Sequence, residues 1–155
     1  MGRRRTSGFT LVELLVVIII IGLLAALLLP AIVKALCSAR QGAASEQIKN
    51  LGQAAKMYDT DFGVYPQSTA SFDSSSLAKA LKSTGPKKQS YYEFQPGDLD
   101  GSENVISRVR STELLKYRNN KNNPPNAAAK NKQSFDMWCP DCNNIPDAVN
   151  NWGGN

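Results

Sequence analysis

Acid–base catalysis at neutral pH needs a group that titrates there, and this chain of 155 residues contains no histidine. That removes the Ser-His-Asp and Cys-His arrangements and every histidine metal ligand together. Chemistry then rests on three cysteines, Cys37, Cys139 and Cys142, and on carboxylates in unusual settings. An odd count permits at most one intrachain disulfide and leaves one thiol over. Cys139 and Cys142 form a lone C-x-x-C. Zinc would want four ligands, and neither a second close pair nor a histidine is at hand. A redox motif would open a helix in a thioredoxin-like βαβ unit, which the pattern lacks. The acidic run Gly97 to Asn104, GDLDGSEN, alternates carboxylates around Gly101. It has no Glu at the end of an EF-hand spacing, so it reads as an acidic turn. No nucleophile–base constellation is present, and the chain is expected not to be an enzyme.

One carboxylate is out of place. Glu13 interrupts Gly8 to Pro30, GFTLVELLVVIIIIGLLAALLLP, which is otherwise almost wholly apolar. Placing an ionised group inside a membrane-spanning helix costs roughly 2.5 to 3.5 kcal/mol, so such a residue is a functional candidate. From Leu14 to Leu29 there are 16 consecutive apolar or Gly residues. With Phe9 to Val12 before them and Ala31 to Val33 after them, the run covers about 25 positions at about 1.5 Å each, enough to cross roughly 30 Å of hydrocarbon. A helix apolar on all sides belongs in a membrane or a large core, and the rest of the chain makes only a small one.

Several classes fall away on these grounds. A cleaved secretory signal is opposed by Glu13, by the length of the run and by the lack of an A-x-A site. A lipoprotein signal at Cys37 is opposed by Leu36 before it and by Pro30 and Lys34. The formal charge of +5 owes three units to Arg3, Arg4 and Arg5, and no basic stripe with interleaved aromatics remains for nucleic acid. The basic tip sets a single-pass orientation, with the N-terminus cytoplasmic and the remainder exported.

The residues Gly8-Phe9-Thr10-Leu11-Val12-Glu13, behind a short basic leader and before a long apolar run, resemble the class III signal of the type IV pilin-like superfamily. The major pseudopilin of type II secretion is the nearest subfamily. The resemblance implies cleavage between Gly8 and Phe9 by prepilin peptidase, and N-methylation of Phe9. It implies that Glu13 pairs with the Phe9 amine of a neighbouring copy, which neutralises both charges and sets the stagger between subunits. Pro30 is also a residue type the family has at its place. The implied product is a homo-oligomeric helical filament, built on an inner-membrane assembly platform with minor pseudopilins, in the periplasm or outside the cell. A major or minor type IV pilin for adhesion, motility or DNA uptake is the alternative.

Past Pro30, which should remove one helical hydrogen bond, the pattern becomes periodic. Ala44, Ile48, Leu51, Ala55 and Tyr58 fall four and three apart, the mark of one buried helix face. Asp59 to Pro66 ends the helix, with Gly63 suited to a positive-φ turn. The run Tyr58-x-x-Asp61-x-Gly63-x-Tyr65-Pro66 again resembles the pseudopilins. Ser71 to Lys82 reads as a short helix capped by Asp73 or Ser74. Tyr91 to Phe94, Val105 to Val109 and Gln133 to Trp138 are strand candidates, and Leu114 to Tyr117 reads as a short strand or a turn of helix. Arg118 to Gln133 is a polar Asn- and Lys-rich loop. The expected fold is α+β: a long N-terminal helix, membrane-inserted in its first half, packed on a small antiparallel sheet. The expected parts are leader 1–8, transmembrane and filament-core helix 9–33, amphipathic second half 34–61, and head 62–155.

Phe135-Asp136-Met137-Trp138, the following loop, and Asp147 to Trp152 resemble the end of a pseudopilin head. There an acidic loop commonly binds calcium, which here would fall to Asp141 and Asp147. No cofactor is otherwise required. Cys-Pro-Asp-Cys stands where the family has Gly-x-Asp-Gly. In an exported head the plain reading of Cys139 and Cys142 is a disulfide-closed loop that does the stapling in calcium's place. Cys37 is then a packed free thiol.

Overall fold

The structure, a computed structural model, describes residues 9–83, 85–86, 90–121 and 128–152. The leader 1–8, with Gly8 and the Arg3 to Arg5 tip, lies outside the described residues. So does the 122–127 part of the Asn- and Lys-rich loop. The element order is α1 (Leu11–Phe62), α2 (Ser75–Lys82), β1 (Lys116–Asn119), β2 (Phe135–Cys139) and β3 (Val149–Asn150). The chain divides into two compact units, Met1–Leu36 and Cys37–Asn155.

In the first unit α1 runs through Pro30. Every large apolar side chain from Leu11 to Leu36 is exposed, from 44% at Val17 to 82% at Leu11. By length and composition this helix can cross a membrane. An exposed apolar face of this extent suits lipid or other apolar protein.

In the second unit the periodic stripe of α1 does what its spacing requires. Ala44, Ile48, Leu51 and Ala55 are buried, and Tyr58 packs at the edge of the core. Gly52 lies where β2 crosses: a Cβ there would meet the Phe135 ring at 3.4 Å. Helix α1 ends as expected at Gly63, whose φ is +72° and whose N–H bonds the Asp59 carbonyl at 2.7 Å. The sheet is three-stranded and antiparallel, in the order β1-β2-β3. In β2 the alternation is clean. Phe135, Met137 and Cys139 are buried in the core cluster. Asp136 and Trp138 share the other face, paired in register with Arg118 and Lys116 of β1. Trp152 returns to the head in a tilted ring contact with Trp138, with ring centroids 5.9 Å apart.

Four elements differ from the sequence expectation. Helix α2 starts at Ser75 rather than Ser71, because Phe72 has φ +57° and Asp73 gathers the preceding turn. Asp73 accepts hydroxyl bonds from Ser75 (2.6 Å), Thr69 (2.6 Å) and Ser71 (2.9 Å), and these hold its carboxyl far below the ordinary range. Tyr91 to Phe94 forms no strand ladder. The Tyr91 and Tyr92 N–H groups both bond the Leu81 carbonyl, so this segment closes the end of α2. Val105 to Val109 makes only the isolated bridges Leu99 to Val105 and Ile106 to Leu114. It is tied instead to α1, where the buried Gln47 amide donates to the Ile106 carbonyl and accepts from the Arg108 N–H. Strand β1 begins two residues after Leu114 and takes in Arg118 and Asn119, which the composition alone assigns to the loop.

Candidate functional site

Two places carry the residues singled out for chemistry, one in each unit. The first is the start of α1. The Thr10 N–H and Thr10 Oγ1 both donate to Glu13 Oε2, at 2.8 and 2.7 Å. The Glu13 N–H reaches back to Thr10 Oγ1 at 3.3 Å. This is a reciprocal capping box, with Thr10 at the N-cap and Glu13 three residues on. It answers for donors that the first helical turn leaves unpaired, and it puts a negative charge at the positive end of the helix dipole. The Thr-x-x-Glu spacing is its sequence signature, and attention to the charge of Glu13 alone passes over it. Phe9, next to the cap, is exposed, and Pro30 lies within α1.

The second place is the loop between β2 and β3, where one expectation is overturned. The disulfide joins Cys37 to Cys142, with a Cα–Cα distance of 5.9 Å. Cys139 is the free thiol, and Cys37 is not free. The reason is the alternation of β2. Cys139 follows Phe135 and Met137 into the core, where it is fully buried and its thiol lies beside Ser107. Burial pushes that thiol above its ordinary pKa. Cys142 lies past Pro140, outside the strand, and meets α1.

Asp141 is buried, and its carboxylate organises the loop. Oδ1 accepts the backbone N–H of Asn143 (2.8 Å) and of Ile145 (2.9 Å). Oδ2 accepts amide donors from Gln41 (3.3 Å) and Asn143 (3.4 Å). Arg110 braces the same loop through Asn144 Oδ1, at 2.7 Å, and the Cys142 carbonyl. Asp147 is exposed, and its backbone carbonyl accepts from the Asn150 amide. A calcium ion would need a shell of oxygens; in this structure the Asp141 carboxylate is engaged by four N–H donors. No group of three or more His, Cys, Asp or Glu side chains able to hold a metal occurs among the described residues.

A further polar device stands on the outer face of the sheet. Asp136 is fully buried and takes an ion pair from Arg118 together with the N–H groups of Lys130 (3.0 Å) and Asn131 (2.8 Å). Burial raises its pKa, but these bonds outweigh burial and hold it below the ordinary value. The Arg118 guanidinium also lies over the Phe72 and Trp138 rings, at 5.3 and 5.7 Å. In the acidic run, Asp100 accepts the N–H groups of Ser102 and Asn104, so this segment is an acidic turn.

The described geometry is α+β: a long N-terminal helix with an exposed apolar first part, whose later part packs on a small antiparallel sheet. That is consistent with a pilin-like fold. Residues 3–29 match the family model described as the prokaryotic N-terminal methylation motif, so the chain carries a prepilin-type N-terminus. The chain is similar to type II secretion system core protein G, the major pseudopilin. It is 42% identical to that protein of Pseudomonas aeruginosa over 66 residues, 43% of this chain and 46% of the relative. For Aeromonas hydrophila the figures are 41% over 73 residues, 47% and 51%. For Vibrio cholerae they are 36% over 90 residues, 58% and 59%. The chain thus aligns with about half the length of the curated relatives it matches. No solved structure matches it.

Proposed function

We propose that this chain is the structural subunit of a type II secretion pseudopilus, and that its work is assembly rather than catalysis. The observation that carries this reading is the prepilin motif on a helix whose apolar side chains lie bare from Leu11 to Leu36. The name shared by the three relatives favours a pseudopilus over a surface pilus.

On this reading the precursor waits in the inner membrane as a single-pass protein, with Arg3 to Arg5 cytoplasmic and the head periplasmic. Prepilin peptidase cuts between Gly8 and Phe9 and methylates the Phe9 amine. Thr10 holds Glu13 through Oε2 at the helix start. The carboxylate is thereby prearranged, and its desolvation is partly offset before assembly. The amine of another copy's Phe9 then completes the pairing, which cancels two charges in an apolar setting. Extraction into a filament buries the bare helix face against other copies. Prepilin peptidase, minor pseudopilins and an inner-membrane platform are the partners this sequence of events requires.

The test compares Glu13→Ala and Glu13→Gln with wild type for filament yield in a strain that has the other secretion components. Both variants should reach the membrane, be cleaved, and fail to polymerise. Filaments at wild-type yield from Glu13→Ala would overturn the pairing role.

A further inference from the structure

We propose that the β2–β3 loop of this chain is locked to α1 by oxidation of Cys37 and Cys142, and that this covalent lock does the work a bound divalent cation would do.

Cys37 and Gln41 lie four apart, so they share one face of α1. Together they grip neighbouring residues of the loop: Cys37 bonds Cys142, and Gln41 donates to the Asp141 carboxylate. The Asp141 carboxylate then folds the loop on itself through the Asn143 and Ile145 N–H groups. The Asp141 N–H bonds the Ile145 carbonyl at 3.1 Å, and Arg110 clamps the outside at Asn144 and Cys142. The four N–H donors on the Asp141 carboxylate hold the loop's shape without an ion, and the second candidate ligand, Asp147, is exposed. Beside the Asp141 and Arg110 bonds, the disulfide alone ties the loop to α1 covalently.

The lock has a chemical requirement. A thiolate of the Cys37 and Cys142 pair attacks the disulfide of a dithiol oxidant, and one oxidant thiolate leaves. The second cysteine's thiolate then attacks the mixed disulfide and releases the other. The pair loses two electrons and two protons, and the oxidant gains them as two thiols. Cys139, buried in β2, is kept from competing. Closure of the loop therefore follows export to a compartment with a disulfide-bearing thiol oxidase, and it is indifferent to calcium.

The experiment uses the full-length protein in detergent. Peptide mapping without reduction should find Cys37 joined to Cys142, and Cys139 alkylated only after denaturation. Proteolysis within residues 140–148 should then speed up by roughly tenfold or more on adding reductant, because the loop now opens locally. Chelator should leave the oxidised rate unchanged, and added calcium should not restore protection to the reduced protein. Cys37→Ser should behave as the reduced wild type; the wild-type measurement stands by itself if that variant does not fold. A Cys139–Cys142 bond, a chelator-sensitive oxidised loop, or protection of the reduced loop by calcium would each overturn the proposal.

Discussion

Replacing Asp136 by asparagine removes one charge and changes almost no volume, yet it should be among the most damaging changes to the head. The Asp136 side chain is fully buried, and that of Arg118 is 11% exposed. The partners of Asp136 among the described residues are donors: the Arg118 guanidinium, the Lys130 and Asn131 N–H groups and the Asn120 side chain. An asparagine must turn its NH2 toward one of these donors, and it leaves the guanidinium without a counter-charge. Removing one member of a buried pair costs about 3–5 kcal/mol, against a total of about 5–15 kcal/mol for a domain. For a unit of this size a melting shift of roughly 4 °C per kcal/mol applies, so Asp136→Asn should melt about 12–20 °C below wild type. The assay is thermal unfolding of the full-length protein in detergent, followed by near-ultraviolet circular dichroism of the Trp138 and Trp152 pair. Glu103→Gln is the control. It breaks only the exposed pairs with Lys82 and Lys79, so its melting point should stay close to that of wild type. If Asp136→Asn melts with wild type, or above Glu103→Gln, the buried pair does not hold the sheet as described.

Other outcomes follow from the same contacts. The disulfide closes a span of 105 residues, for which chain entropy gives up to about 4.7 kcal/mol, so Cys37→Ser should lower the denaturant midpoint of the oxidised protein markedly. Against reduced wild type the same variant should show little difference. Asp73, Asp100, Glu103 and Asp136 all have lowered pKa values in the fold. Their contribution is therefore complete above the unfolded carboxylate range near pH 4, and is lost as pH falls through the folded values. An acid titration of stability should be flat above about pH 5 and fall steeply below about pH 4. Tyr91 has its phenol pushed up to about 12, by desolvation first and then by its bond to Asp61. An ultraviolet titration of Asp61→Asn should show that ionisation moving back toward the ordinary tyrosine range.

Much of this was legible in the residues. The four-and-three spacing from Ala44 to Tyr58 announced the buried face of α1, because helical geometry leaves such a stripe one direction to point. Gly63 marked the helix end, because only a positive φ turns the chain there. Phe135 to Trp138 read as a strand and is one. What failed depended on partners distant in sequence. Cys142 bonds a cysteine 105 residues away, and the short C-x-x-C spacing drew attention to the wrong neighbour. The aromatic run Tyr91 to Phe94 looked like a strand, but its N–H groups were claimed by the end of α2. Arg118 and Asp136 gave no local sign of pairing, since their register is set only when β1 and β2 meet. Thr10 and Glu13 were different: their capping box was visible in four residues.

The central claim is that the N-terminal stretch is a prepilin signal followed by an assembly helix. Intact mass of the native protein, purified from cells with the cognate peptidase, tests it most directly. The account predicts a chain that begins at Phe9 and carries one added methyl group on its α-amino nitrogen. A chain that keeps residues 1–8, or one cut near Cys37, would contradict it.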